Sequence, residues 1–132
     1  MDHIFKTAVS IGGALASYLF GGWSALLTVL LTFVVFDYMS GVVAAYLEKK
    51  LNSGVGVKGI AKKVAIFLVV AIANMVDIAL GGEVHMFRDA TIWFYLANEL
   101  LSIIENLGKI GVPIPEKLRN AVQVLQGKGE EK

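Results

Sequence analysis

The chain has 132 residues, enough for one domain, and 56% of them are hydrophobic while only 17% are charged. Twelve Lys and Arg against eleven Asp and Glu leave a formal net charge of +1, so nothing pulls the chain as a whole toward nucleic acid. The lack of cysteine excludes a disulfide framework and any thiolate metal site.

The distribution of charge says more than its sum. From Thr7 to Phe36 there is no charged residue and no His, a run of 30, whereas a bilayer-spanning helix needs about 20 mostly apolar residues. The pattern predicts an all-α integral membrane protein, with three to four transmembrane helices and a short amphipathic C-terminal helix. Residues 1–110 form the membrane helical domain in this reading, and 111–132 form a cytoplasmic tail.

The first apolar segment is 4–20, closed by Gly21-Gly22. Its length gives only ~25 Å of helix, so it either spans or lies at the interface. Lys6 ahead of the apolar stretch and Ala14-Leu15-Ala16 within it mimic a signal peptide, but the apolar run continues well past that site. Gly13, Ser17 and Gly21 recur every four residues, a small-residue row that lets helix backbones approach closely. The second segment, 23–46, reaches ~36 Å and carries Asp37, with Ser40 and Gly41 forming a second small-residue patch beside it.

Glu48–Lys63 reads as a loop. It holds Lys49, Lys50, Lys58, Lys62 and Lys63 against one acid, and the positive-inside rule places it at the cytoplasmic membrane surface. The same charges would attract anionic headgroups. The third segment, 64–80, carries Asp77 and is closed by Gly81-Gly82. Gly81–Asp89 has Arg88 as its single fixed positive charge and should face outward; the tail, with Lys109, Lys117, Arg119, Lys128 and Lys132, should face inward. Both termini are then cytoplasmic. Trp23, Trp93 and Tyr95 would mark the outer interface and Tyr46 the inner one.

The fourth segment, 90–107, differs from the others. Glu99, Ser102 and Asn106 share one helical face, Asn98, Ser102 and Glu105 form the flanking row, and Trp93, Leu96, Leu100, Ile103 and Leu107 lie on an apolar face. Such a stripe either bonds neighbouring helices or lines a water-filled path. No Lys or Arg lies inside the apolar segments to pair with Asp37, Asp77, Glu99 or Glu105, so each carboxyl must be neutral, lie near an interface or face polar groups. Asp77 is within reach of Arg88 in this scheme, Glu105 of Lys62 or Lys63, and Glu99 of nothing. After Pro113 and Pro115, Glu116–Gln126 reads as a short amphipathic helix with Leu118, Ala121, Val122 and Leu125 on one face, and 127–132 as a frayed polar end.

His3 and His85 have no partners at metal-ligand spacing, and no Ser/His/Asp set, phosphate loop or catalytic carboxylate pair is visible. The reading is of a protein without enzymatic chemistry, cofactor or metal. Its competing functional classes are a self-associating pore former, a small ion or proton channel or transporter, and a non-conducting membrane adaptor.

Four stretches in fixed order resemble one known family. They are Asp37-Tyr38-Met39-Ser40-Gly41, then Ser53 with Lys58-Gly59-Ile60-Ala61-Lys62-Lys63, then Asn98 through Asn106, then Gly111-Val112-Pro113-Ile114-Pro115. The family is that of phage holins which also includes the clostridial toxin-secretion holins, and the likeness covers well over half of the chain. It implies a homo-oligomer in the bacterial cytoplasmic membrane that accumulates harmlessly and then opens holes. The cargo would be a cell-wall hydrolase or an exported toxin.

Overall fold

A computed structural model describes residues 1–125, and the expected frayed end at 127–132, with Lys128 and Lys132, lies outside them. Five helices follow in order: α1 (Asp2–Phe20), α2 (Ala25–Leu47), α3 (Ser53–Ala79), α4 (Met86–Ile110) and α5 (Glu116–Leu125), with no strand among the described residues. Two of them, α2 and α3, are long and apolar enough to cross a membrane.

The breaks have local causes. Gly21 closes α1 in the left-handed region, φ 71°, where a β-carbon would be strained, and the backbone N–H groups of Gly21 and Gly22 both return to the Ser17 carbonyl. Ser24 caps α2 by accepting from the Leu27 N–H at 3.2 Å, and Asn52 caps α3 by accepting from the Val55 N–H at 2.9 Å.

The Asn52 cap corrects one expectation. Lys58, Lys62 and Lys63 are not in a loop; they ride on the first turns of α3, which starts 11 residues before the apolar segment does. The α2–α3 connection is a short turn at Glu48–Asn52 holding Lys49 and Lys50. The stretch also holds three glycines, Gly54, Gly56 and Gly59. Two of them admit an aromatic ring: β-carbons at Gly56 and Gly59 would lie 3.2 and 3.3 Å from Tyr38 of α2, whose hydroxyl donates to the Gly56 carbonyl.

Helices α2, α3 and α4 form a bundle around Leu27, Leu30 and Val34, Ile66 and Val70, and Ile92 and Leu96. These residues supply one apolar layer from three helices. α1 stands apart from it. No residue of α1 is buried against the described chain, and it meets α3 through its last turns, where Phe20 stands edge-on to Trp23 and Phe67 at 5.9 and 6.2 Å. The small-residue row divides: a β-carbon at Gly13 would meet no described atom within 4 Å and Ser17 is exposed, whereas Gly21 caps the helix and packs within the protomer, where a β-carbon would clash with Asn74 Oδ1 and lie 2.9 Å from His85 Cε1.

Candidate functional site

Ten residues in from the end of α2 at Leu47 sits Asp37, and ten in from the start of α3 at Ser53 sits Lys63; Glu99 is eleven in from the end of α4 at Ile110. At 1.5 Å per residue, all three lie about 15 Å from the same end of the bundle. They meet there. The Lys63 ammonium is ion-paired to the Asp37 carboxylate and donates to Glu99 Oε1 at 2.9 Å. Asp37 and Glu99 are 4% and 6% exposed, and the Lys63 side chain 21%.

This overturns the expectation that Glu99 has no basic partner. The lysine comes from α3, and it corrects the grouping of Lys63 with the surface lysines. Lys58 and Lys62 remain exposed, as do Lys49 and Lys50. Glu105, expected to reach Lys62 or Lys63, is exposed, and Lys63 is committed elsewhere.

The polar stripe of α4 faces the patch on α2. Asn106 Nδ2 donates to Asp37 Oδ1 at 2.9 Å, to the Asp37 carbonyl at 3.2 Å and to Ser40 Oγ at 3.0 Å. Gly41 lies directly against this amide: a β-carbon there would be 3.4 Å from that nitrogen, an ordinary contact. Ser102 lies beside the Asp37 carboxylate. Thus Asp37, Ser40, Gly41, Glu99, Ser102 and Asn106 converge with Lys63 on one site. Two cavities flank it. One of about 210 Å³ runs to Leu51 in the α2–α3 turn and Val55 in the first turn of α3; the other, of about 360 Å³, lies between α3 and α4 with Asn98 and Tyr95 in its wall. Asp37, Lys63 and Ser102 line both, so they separate one cavity from the other.

With all three groups ionised, the cluster carries two negative charges and one positive. A net charge at this depth is costly unless polar groups or water share it, and the cavities and amides supply that sharing.

A second polar cluster lies at the opposite end of the apolar layer. Asp77, also buried, caps α4: its two carboxylate oxygens accept from the backbone N–H groups of Phe87 and Arg88, each at 2.9 Å. The expected meeting of Asp77 and Arg88 occurs, but through the Arg88 backbone. The guanidinium turns instead to the end of α1, donating to the Phe20 and Gly21 carbonyls at 2.8 and 3.2 Å, and to Asp89 at 3.0 Å. Asn74, fully buried, donates to the Leu19 carbonyl at 3.0 Å. Sequence reading missed Asn74 and the clamp on α1. An Asn in an apolar helix was the available signal, since a buried amide needs partners.

Comparison with known families matches residues 14–127 to the bacteriophage holin family. An uncharacterized protein of Listeria monocytogenes is 45% identical over 131 residues, covering 99% of this chain and 93% of its own length. Another, from Halalkalibacterium halodurans, is 42% identical over 132 residues, covering 96% and 97%. A probable holin of Bacillus phage phi105 is 37% identical over 116 residues, covering 88% and 84%. No solved structure matches.

Proposed function

The chain belongs to the bacteriophage holin family, and from that premise we propose that it assembles in the bacterial cytoplasmic membrane into holes that release a wall-degrading hydrolase or an exported toxin. The observation that carries this reading is the charged cluster of Asp37, Lys63 and Glu99, set about 15 Å into a bundle in which α2 and α3 are long and apolar enough to cross a membrane. A structural helix has no need of three charges at that depth. A protein that must later line water does.

In this proposal α2, α3 and α4 cross the membrane and α1 spans or lies against it, with residues 111–132 as the cytoplasmic tail. The stripe of Asn98, Glu99, Ser102, Glu105 and Asn106 turns toward a shared lumen in the assembled state. The row at Gly13 and Ser17 joins neighbouring copies, and Lys49, Lys50, Lys58 and Lys62 hold the cytoplasmic surface. No catalytic role, cofactor or nucleic-acid partner is part of it.

The test is induced expression with a co-expressed wall hydrolase. Abrupt lysis that needs both proteins, with release of large solutes, is expected. Small, saturable, ion-selective fluxes would replace this reading with a channel or transporter, and no flux at all would replace it with an adaptor. The orientation has its own test, because the chain has no cysteine. A membrane-impermeant thiol reagent applied outside should label Gly82→Cys and spare Asn52→Cys; the reverse pattern would invert the topology.

A further inference from the structure

Lys63 stands out because it bonds to both neighbours in the bundle. Its ammonium lies between Asp37 on α2 and Glu99 on α4, so one side chain of α3 joins all three helices at one level. The group is reachable: the lysine side chain keeps 21% of its surface, and two cavities meet at it. A site closed for good by burial would leave no such access. The pairing is also lopsided, with two carboxylates sharing one cation.

We propose that Lys63 is the latch of the packed protomer: its ammonium holds α2 and α4 together through Asp37 and Glu99, and hole formation requires that grip to be released. This rests on the hole-forming reading above. While the latch is closed, Glu99 is compensated inside the protomer and has no need of a lumen. Once Lys63 leaves Glu99, the two carboxylates repel each other across the α2–α4 contact, and Glu99 gains most by turning to water. The latch therefore separates a quiet, accumulating form from an assembling one.

The experiment uses charge exchange in the full-length, otherwise cysteine-free chain carrying Ala44→Cys. Ala44 is 3% exposed and lies two turns beyond Asp37 on the same face of α2, so its thiol reports whether that face is covered. A small water-soluble maleimide is applied to membranes without any hydrolase. Lys63→Glu should raise the labelling rate roughly ten-fold or more, because three acids then crowd one buried site. Adding Glu99→Lys restores an opposite-charge pair and should bring labelling back to within about two-fold of the parent. Lysis onset with the hydrolase, at matched membrane levels, should move earlier in Lys63→Glu; the double variant is read by labelling and not by lysis, because Glu99 also belongs to the proposed lumen stripe. If Lys63→Glu fails to accumulate but the double variant does, the rescue itself supports the pair. Parental labelling in Lys63→Glu, or a double variant as exposed as the single one, would overturn the latch. The hole reading fails separately: a parent chain that never lyses cells, with the labelling pattern intact, overturns that reading and leaves the clamp between helices standing.

Discussion

The two polar clusters sit at opposite ends of one apolar layer and are built on different logic. At the Arg88 end, the joints between helices run from side chain to backbone. Asp77 caps α4, while Arg88 and Asn74 take the last carbonyls of α1, which no intrahelical N–H can reach. Asp77 and Arg88 are each two residues from a helix end, where irregular backbone and water are near. At the Lys63 end, charged side chains bind each other in mid-helix, ten or eleven residues from the nearer helix ends. A joint made to backbone has nothing to exchange with, because the carbonyls of a helix end always need donors. A joint made between side chains can be undone by giving each charge another partner or water. The first arrangement holds the fold, and the second holds it on terms that can change.

The sharpest way to break this contrast is to remove one group from each cluster. Arg88→Met deletes two hydrogen bonds to the end of α1 and leaves part-buried carbonyls without their donor, so it should cost about 3 kcal/mol of stability in detergent, judged from charged hydrogen bonds and the penalty for unpaired groups. It should also free α1, read as faster proteolysis within Asp2–Phe20. A loss below about 0.5 kcal/mol, the size of an ordinary surface substitution, would show that the clamp does not anchor the helix.

Glu99→Leu should do the opposite, sparing the fold and harming the function. It leaves Lys63 paired with Asp37 as a neutral set and removes one desolvated carboxylate, which offsets part of the charge-assisted bond's roughly 1.5–3 kcal/mol, so the net cost should stay below that of Arg88→Met. Hole formation should be delayed or abolished, because an apolar side chain gives the lumen nothing to hydrate. Glu99→Gln separates charge from polarity: lysis with Gln but not Leu means polarity suffices, and failure of both means the charge is needed. Lysis on the parental schedule in both variants would move Glu99 into the same class as Asp77, a residue of the fold.

How legible each cluster was in the sequence follows from its geometry. Asp77 and Arg88 are 11 residues apart across one turn, so their meeting could be read from chain proximity. Lys63 and Glu99 are 36 apart and Asp37 and Lys63 are 26 apart, and no periodicity reports which faces of three helices meet. The boundary of segment three mattered as well. Drawing it at Val64, where hydropathy begins, put Lys63 one residue outside the membrane and made Glu99 seem unpaired. The helix starts at Ser53, because capping by Asn52 and packing of Tyr38 over Gly56 and Gly59 outweigh the low helix propensity of glycine. The α4 stripe was visible because spacing within one helix is what a sequence shows directly. Its partners on α2 and α3 were not.

The smallest expected effect on the fold belongs to the region outside both clusters. In Gly13→Leu the new side chain enters open space, since no described atom lies within 4 Å of a β-carbon there. Glycine is also a poor helix former, so replacing it inside α1 should leave the isolated protomer unchanged or more stable by up to about 1 kcal/mol. Assembly should respond in the other direction. If α1 packs on a neighbouring copy along Gly13 and Ser17, leucine holds the backbones apart and weakens the oligomer. The two readouts must therefore diverge: unfolding of the protomer in detergent unmoved or improved, crosslinked oligomer in membranes reduced. Parallel loss in both would mean that α1 folds back on its own chain in the membrane. Oligomers at the parental level would exclude this row as the seam and leave the α4 stripe to join the copies.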